Sequence, residues 1–247
     1  MFIEEVNTII ILPHIDDEFA LLPLLKEISN FKKKYLQIIY CAEKLNKFNK
    51  INRRKENYFA LELCGLKNLK PIFLNDYFVI EASFLYKSAK DIYIYLEDLQ
   101  NKFKFEQILT LSFEGGHPDH DALALIVNKF SYTYKLKTFY FPAYNPRRDF
   151  LLPLTVCKPL KSQESFFKYK IYNKFCWFDL FRIVLIYKSE ISAFIKLLPF
   201  FITKVFFCRK LYYTNIIDVD SVVWSKSFSW NLYHVRKKDI IYYLNKI

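Results

Sequence analysis

A chain of 247 residues that is 53% hydrophobic can bury a sizeable core, which speaks against disorder. The formal charge of +12, from 37 Lys+Arg against 25 Asp+Glu, points to an anionic contact such as nucleic acid, a phospholipid surface or a phosphorylated substrate, with codon-biased lysine enrichment as the bland alternative. The five cysteines are odd in number and form no C-x-x-C pair, so a reduced, cytoplasmic chain with buried thiols is expected.

Met1-Phe2-Ile3-Glu4-Glu5 offers no basic lead into an apolar run, so no signal peptide is expected. An apolar strand over 6–12 is followed by a helix over 17–29, a strand over 36–41 and a helix over 48–64. Next come a short strand over 71–74, a helix over 88–101, a strand over 107–111, a helix over 119–130 and a strand over 138–141. Such alternation predicts an α/β fold, a Rossmann-like and mostly parallel sheet flanked by helices. A loop over 142–153, with Pro142, Pro146 and Pro153, marks a soft boundary. Residues 1–145 form the expected core, and 146–247, aromatic, basic and less regular, complete the same domain and shape the substrate pocket. Helices are expected there over 177–188 and 191–204. The apolar segment 191–207 is interrupted by Lys196, Pro199 and Lys204, so a buried helix pair is expected rather than a membrane span, with an interfacial, membrane-touching surface as the alternative.

Only three glycines and four histidines occur, and they are not scattered: Gly115 and Gly116 are adjacent, and His14, His117 and His120 fall in two short segments. Each segment follows a predicted strand, at the edge where open parallel sheets bind ligands. Gly115-Gly116 permits the tight turn that would bring the second segment to the first. Imidazole and carboxylate together suit Zn2+ or Fe2+ with a position left open for water. His14 and Asp17, three apart at a helix start, can share a metal with His120, which leaves Asp16 beside the water. A dication also removes the repulsion between adjacent carboxylates. The bland readings are a helix cap for Asp16-Asp17 and a surface pair for His117 and His120, and the coincidence of both clusters outweighs them. His234, isolated, keeps the bland reading.

These segments resemble the LmbE/PIG-L-like N-acetylglucosaminyl deacetylases. The resemblance lies in Pro13-His14-Ile15-Asp16-Asp17-Glu18 and in Gly115-Gly116-His117-Pro118-Asp119-His120-Asp121, with Arg53-Arg54-Lys55-Glu56 through Ala60 and Cys64-Gly65, and Phe73-Leu74-Asn75-Asp76, between them. Downstream it thins to Tyr187-Lys188-Ser189-Glu190, similar to a Ser-Gln element of the family with Glu in place of Gln. The resemblance implies zinc held by His14, Asp17 and His120, Asp16 as general base, His117 as partner acid, and Arg53 and Asp76 as substrate contacts. Asp119 would orient a histidine from behind. Zinc brings the pKa of a bound water toward about 7, and a carboxylate beside it takes the proton for attack on an acetamide. The implied activity is N-deacetylation of an N-acetylated amino sugar, free or linked to a nucleotide, lipid or glycan, in glycan or glycoconjugate biosynthesis. The setting would be cytoplasmic, with peripheral contact to the anionic inner membrane face as a variant. After Glu18 the chain continues Phe19-Ala20-Leu21-Leu22-Pro23, where family members carry small residues and Gly, which changes the expected acyl pocket.

Two other readings fit parts of the sequence. Two histidines and a carboxylate also make an iron(II) oxygenase triad, although that triad usually sits on a β-barrel. A basic protein binding nucleic acid or membrane with a degenerate metal site is the third, although the basic residues are scattered and no nucleic-acid motif is present.

Overall fold

The structure, a computed structural model, describes residues 6–29, 35–43, 47–115, 117–145, 155–156, 167–170, 177–201, 210–215, 217 and 237–247. Gly116, His234, Cys157, Cys176, Cys208 and most of the 142–153 loop lie outside them, as do the last three residues of the helix expected over 191–204.

The alternation seen in the sequence becomes a five-stranded, all-parallel sheet. Strands β1 (Thr8–His14), β2 (Leu36–Ala42), β3 (Ile72–Phe73), β4 (Gln107–Leu111) and β5 (Lys137–Phe141) lie in the order β3-β2-β1-β4-β5. Helices α1 (Leu22–Ile28), α2 (Lys47–Leu63), α3 (Ala89–Phe103) and α4 (Pro118–Tyr134) supply the crossovers. The strands are apolar on both faces because both faces are covered. On β1, Ile10 and Leu12 enter one core with residues of α1 and α2, while Ile9 and Ile11 enter the other with residues of α3 and α4. The strand order runs from β1 outward in both directions, so the chain reverses direction across the sheet between β1 and β4. That switch point, beyond the carboxyl ends of the two strands, is where open α/β sheets bind ligands.

Beyond β5 the described residues form two antiparallel pairs. These are β6 (Tyr144–Asn145) with β7 (Thr155–Val156), and β8 (Phe167–Lys170) with β9 (Lys210–Tyr213). Thr214 exchanges backbone hydrogen bonds of 2.8 and 3.0 Å with Tyr140, which ties the second pair to the edge of the main sheet. Helices α5 (Trp177–Ile186) and α6 (Ile191–Phe201) pack on the α1/α2 face through Ile183, Val184, Tyr187 and Phe194, and α7 (Lys237–Leu244) places Ile240 in the opposite core. No helix of the described residues is long and apolar enough to cross a membrane.

Several boundaries differ from those expected. Strand β1 runs two residues further, through Pro13 to His14. The ladder to β2 passes from Leu12 to His14, consistent with the missing amide of Pro13. The helix expected from residue 17 begins as a 3-10 turn, Asp17–Leu21, and becomes α-helical only at Leu22, where Pro23 fits the first turn. The strand expected over 71–74 is two residues long, because the chain turns at once into a 3-10 segment, Leu74–Asp76. Helix α4 continues four residues past the expected end, to Tyr134, and closes on Lys135 in the left-handed region at φ 54°.

Candidate metal and catalytic site

His14 ends β1, and the 3-10 turn carrying Asp17 starts three residues later. Across the switch point, β4 ends at Leu111 and the turn through Gly115 (φ 69°) delivers His117 as the N-cap of α4, with Asp119 and His120 in its first turn. That turn is held from below: the buried Asp121 carboxylate accepts from the backbone N–H groups of Glu114 (2.8 Å) and Gly115 (3.0 Å). The Glu114 carboxylate in turn accepts from the Ala143 N–H at 2.8 Å. Replacing Asp121 by Ala orphans two buried donors at about 1–3 kcal/mol each. Urea unfolding of Asp121→Ala protein is therefore expected to show a loss of about 2–6 kcal/mol at unchanged slope. A midpoint equal to the parent's would mean that the turn holds itself.

The structure brings together His14, Asp17, His117, Asp119 and His120. Asp17 lies between two imidazoles, its Oδ2 3.3 Å from His14 Nδ1 and its Oδ1 3.2 Å from His120 Nε2. The ligand atoms of His14, His117 and His120 all lie within 4.8 Å of one another. Four donors arranged tetrahedrally at about 2.0–2.1 Å from an ion stand about 3.4 Å apart. The two contacts made by Asp17 match that spacing, and mixed imidazole and carboxylate donors of this kind suit Zn2+ or Fe2+. His117 is near enough to count as a fourth imidazole, but its Nδ1 accepts from the Asp119 N–H at 3.2 Å.

Asp119 sits behind His14. It is fully buried, and its Oδ2 is 2.7 Å from His14 Nε2 while it also accepts from the backbone N–H groups of Ser83 and Leu85. With Nε2–H donated to Asp119, Nδ1 is the nitrogen that faces Asp17, and it presents a lone pair to an ion once its own proton has left. Ser83 has φ 76°, in the left-handed region, and the loop that carries it points its amide at this carboxylate.

Asp16 stands apart from its neighbour. Its backbone is left-handed at φ 99°, a region that Asp tolerates better than most residues, and its N–H donates to Glu18 Oε2 at 3.0 Å. Glu18 is itself fully buried and accepts from Asn57 Nδ2 at 2.7 Å; that amide lies 2.6 Å from the Tyr40 hydroxyl. The Asp16 side chain pairs with Arg53, Oδ2 to Nη2 at 2.9 Å. Thus Asp17 faces the histidines and Asp16 faces a cation.

Electrostatics follow from these contacts. Burial alone lowers the pKa of His14, but the carboxylates of Asp119 and Asp17 push it up to about 10. Burial lowers His117 to about 3, and the charges of His120 and His14 act in the same direction, so it is a neutral imidazole. With Nδ1 accepting from Asp119, the His117 proton is on Nε2. Burial raises Asp16 to about 7 against the pull of Arg53. Burial, with the nearby Asp16 charge, raises Glu18 to about 8. Against burial, His120 and His14 hold Asp17 well below the usual carboxylate range, and His14 holds Asp119 down.

The two expected substrate contacts have other partners. Arg53 is 8% exposed and bonded to Ile15, Asp16 and Glu190. Asp76 meets Arg54, which forms two forked pairs, to Glu43 (2.8 and 2.6 Å) and to Asp76 (2.9 and 2.8 Å), while its guanidinium lies 4.1 Å above the Phe73 ring. Sequence reasoning assigns no role to Glu18, Asn57, Tyr40, Asp121 or Arg54. Glu18 alone carries a local signal, a third consecutive acid entering an apolar helix.

The chain shares its α/β fold with several solved structures, some of them described as deacetylases. The crystal structure of the A40926 pseudoaglycone deacetylase Dbv21 aligns at TM-score 0.58 and 12% identity, covering 87% of this chain and 98% of that one. The N,N'-diacetylchitobiose deacetylase from Pyrococcus horikoshii, complexed with its inhibitor MPG, aligns at TM-score 0.56 and 16% identity over 92% and 88%. A conserved protein from Thermus thermophilus aligns at TM-score 0.58 and 13% identity over 90% and 99%. No family model and no curated protein sequence matches the chain.

Proposed function

We propose that this chain is a zinc-dependent N-deacetylase of the LmbE/PIG-L-like kind, hydrolysing the acetamide of an N-acetylated amino sugar in a cytoplasmic step of glycan or glycoconjugate synthesis. The observation that carries the reading is the separation of the two adjacent acids: Asp17 faces His14 and His120 at ligand spacing, while Asp16 is held clear of them by Arg53. Two of the structures sharing the fold are described as deacetylases, one of them acting on N,N'-diacetylchitobiose, which supports an N-acetylated sugar as substrate.

In this reading His14, Asp17 and His120 hold the ion, and Asp119 fixes the His14 tautomer. When bound, the ion supplies Lewis acidity toward the acetamide and acidifies water. Asp16 takes the proton of the attacking water; with its carboxyl near neutrality it can also return that proton to the departing amine. His117 donates its Nε2–H to the developing oxyanion, a role open to a neutral imidazole. Water attacks the carbonyl carbon, the C–N bond breaks, and acetate and a free amine leave. The all-parallel sheet is not the β-barrel on which iron(II) oxygenase triads usually sit.

A screen of metal-loaded protein for primary-amine release from N-acetyl sugars and their nucleotide-, lipid- and glycan-linked forms tests the proposal. Turnover of at least one is expected. One bound metal per chain with no amine from any of them would sink the sugar assignment.

A further inference from the structure

Arg53 occupies an unusual position for a residue on a crossover helix. Its Nη2 donates to the carbonyl of Ile15 at 2.7 Å and pairs with Asp16, while Nη1 is 3.1 Å from Glu190 Oε1. One turn along α2, Glu56 accepts from both the backbone N–H (3.0 Å) and the hydroxyl of Ser189. Two positions three apart on one helix face therefore grip two consecutive residues of the 3-10 turn Lys188–Glu190. That turn follows α5, which is anchored in the core by Ile183, Val184 and Tyr187. Glu18 already fixes the Asp16 backbone, so the contribution left to Arg53 is the direction of the carboxylate. A guanidinium bound to Oδ2 locks the group in rotation and leaves Oδ1 to work.

We propose that Arg53 is a positioning residue for Asp16, and that Glu190 holds Arg53 in place, so that alignment of the base depends on docking of the 188–190 turn onto α2. This rests on Asp16 being the base of the proposed deacetylase. A carboxylate free to rotate spends part of its time facing away from the water, and a displacement of about 1 Å can cost about 100-fold in rate. Lysine is not an equivalent replacement, because its ammonium is a single point, whereas two separate guanidinium nitrogens of Arg53 meet Ile15, Asp16 and Glu190.

The test uses the full chain, metal-loaded, with Arg53→Lys and Glu190→Ala. Two readouts are taken. Hydrogen–deuterium exchange over residues 15–19 and 187–190 is expected to accelerate in both segments together in either variant, at unchanged metal content. Unchanged exchange in both variants overturns the proposal, whether or not a substrate is in hand. On the amide that the parent hydrolyses, Arg53→Lys is expected to lower kcat by about 10–100-fold with KM within about twofold. In the Asp16→Asn background the same change is expected to have no further effect. A raised KM at unchanged kcat would make Arg53 a substrate contact and overturn the proposal, as would full additivity with Asp16→Asn. Should Arg53→Lys not fold, Glu190→Ala carries both readouts, with a fall in kcat of about 3–10-fold expected. Absence of any amide hydrolysis by the parent counts against the deacetylase reading alone, and the exchange result then decides this one.

Discussion

Asp16→Asn protein, carrying its full complement of metal, is expected to lose about 10²–10⁴-fold in kcat, the usual contribution of a positioned general base. The substitution is a clean one. Asn tolerates the left-handed backbone found at φ 99°, keeps an amide oxygen for Arg53, and leaves the N–H that donates to Glu18. It removes the capacity to take a proton and, with it, the negative charge opposite Arg53. The Asp16 carboxylate is held by Arg53 rather than by a proposed ligand, so metal content measured by plasma emission should match the parent. Activity within a factor of about two of the parent at full metal content would remove Asp16 from the chemistry.

The second large effect concerns the ion. In the proposed donor set Asp17 lies between the two histidines, and His120, 4% exposed at the first turn of α4, is the third member. His120→Ala is expected to weaken metal binding by more than the about 10–100-fold that follows loss of a supporting residue behind a ligand. Asp119→Asn is expected to fall within that smaller range, since it disturbs the His14 tautomer without removing a donor. Competition with a chromophoric chelator measures both. Equal affinities for the two variants would mean that the donor set is wrong. Because Asp119 and Asp17 keep a proton on His14 in the metal-free protein, metal binding should also release protons and strengthen as pH rises toward about 10.

The α/β architecture was legible because its physical cause is local. A strand covered on both faces reads as a short, mostly apolar run, and 36–41, 107–111 and 138–141 are such runs, broken only by Gln37, Gln107, Thr110 and Thr138. The ligand candidates were legible for a similar reason, since His14 with Asp17 and His117 with His120 sit within one turn of each other and each follows a strand. What was not legible depends on residues far apart in sequence. The left-handed turn at Asp16 that divides the adjacent acids is set by Glu18, and Glu18 is set by Asn57 on α2, which also meets Tyr40 on β2. No periodicity within the segment 12–19 contains that information, so a regular helix was expected where a 3-10 turn forms. In the same way the sequence does not show that Arg53 is buried against Asp16 and Glu190, or that the exposed Asp76 shares Arg54 with Glu43. Charged residues recognised by type alone do not reveal which of them face each other.

The proposed reaction is hydrolysis of an acetamide by water, and it leaves an isotopic mark. Metal-loaded protein turning over an N-acetylated sugar in ¹⁸O-labelled water is therefore the most direct measurement, with acetate followed by mass spectrometry and the amine by derivatisation. Acetate and amine are expected in equal amounts, with one ¹⁸O in each acetate from a single turnover. Amine release without labelled acetate, or turnover that consumes dioxygen, would contradict that reaction.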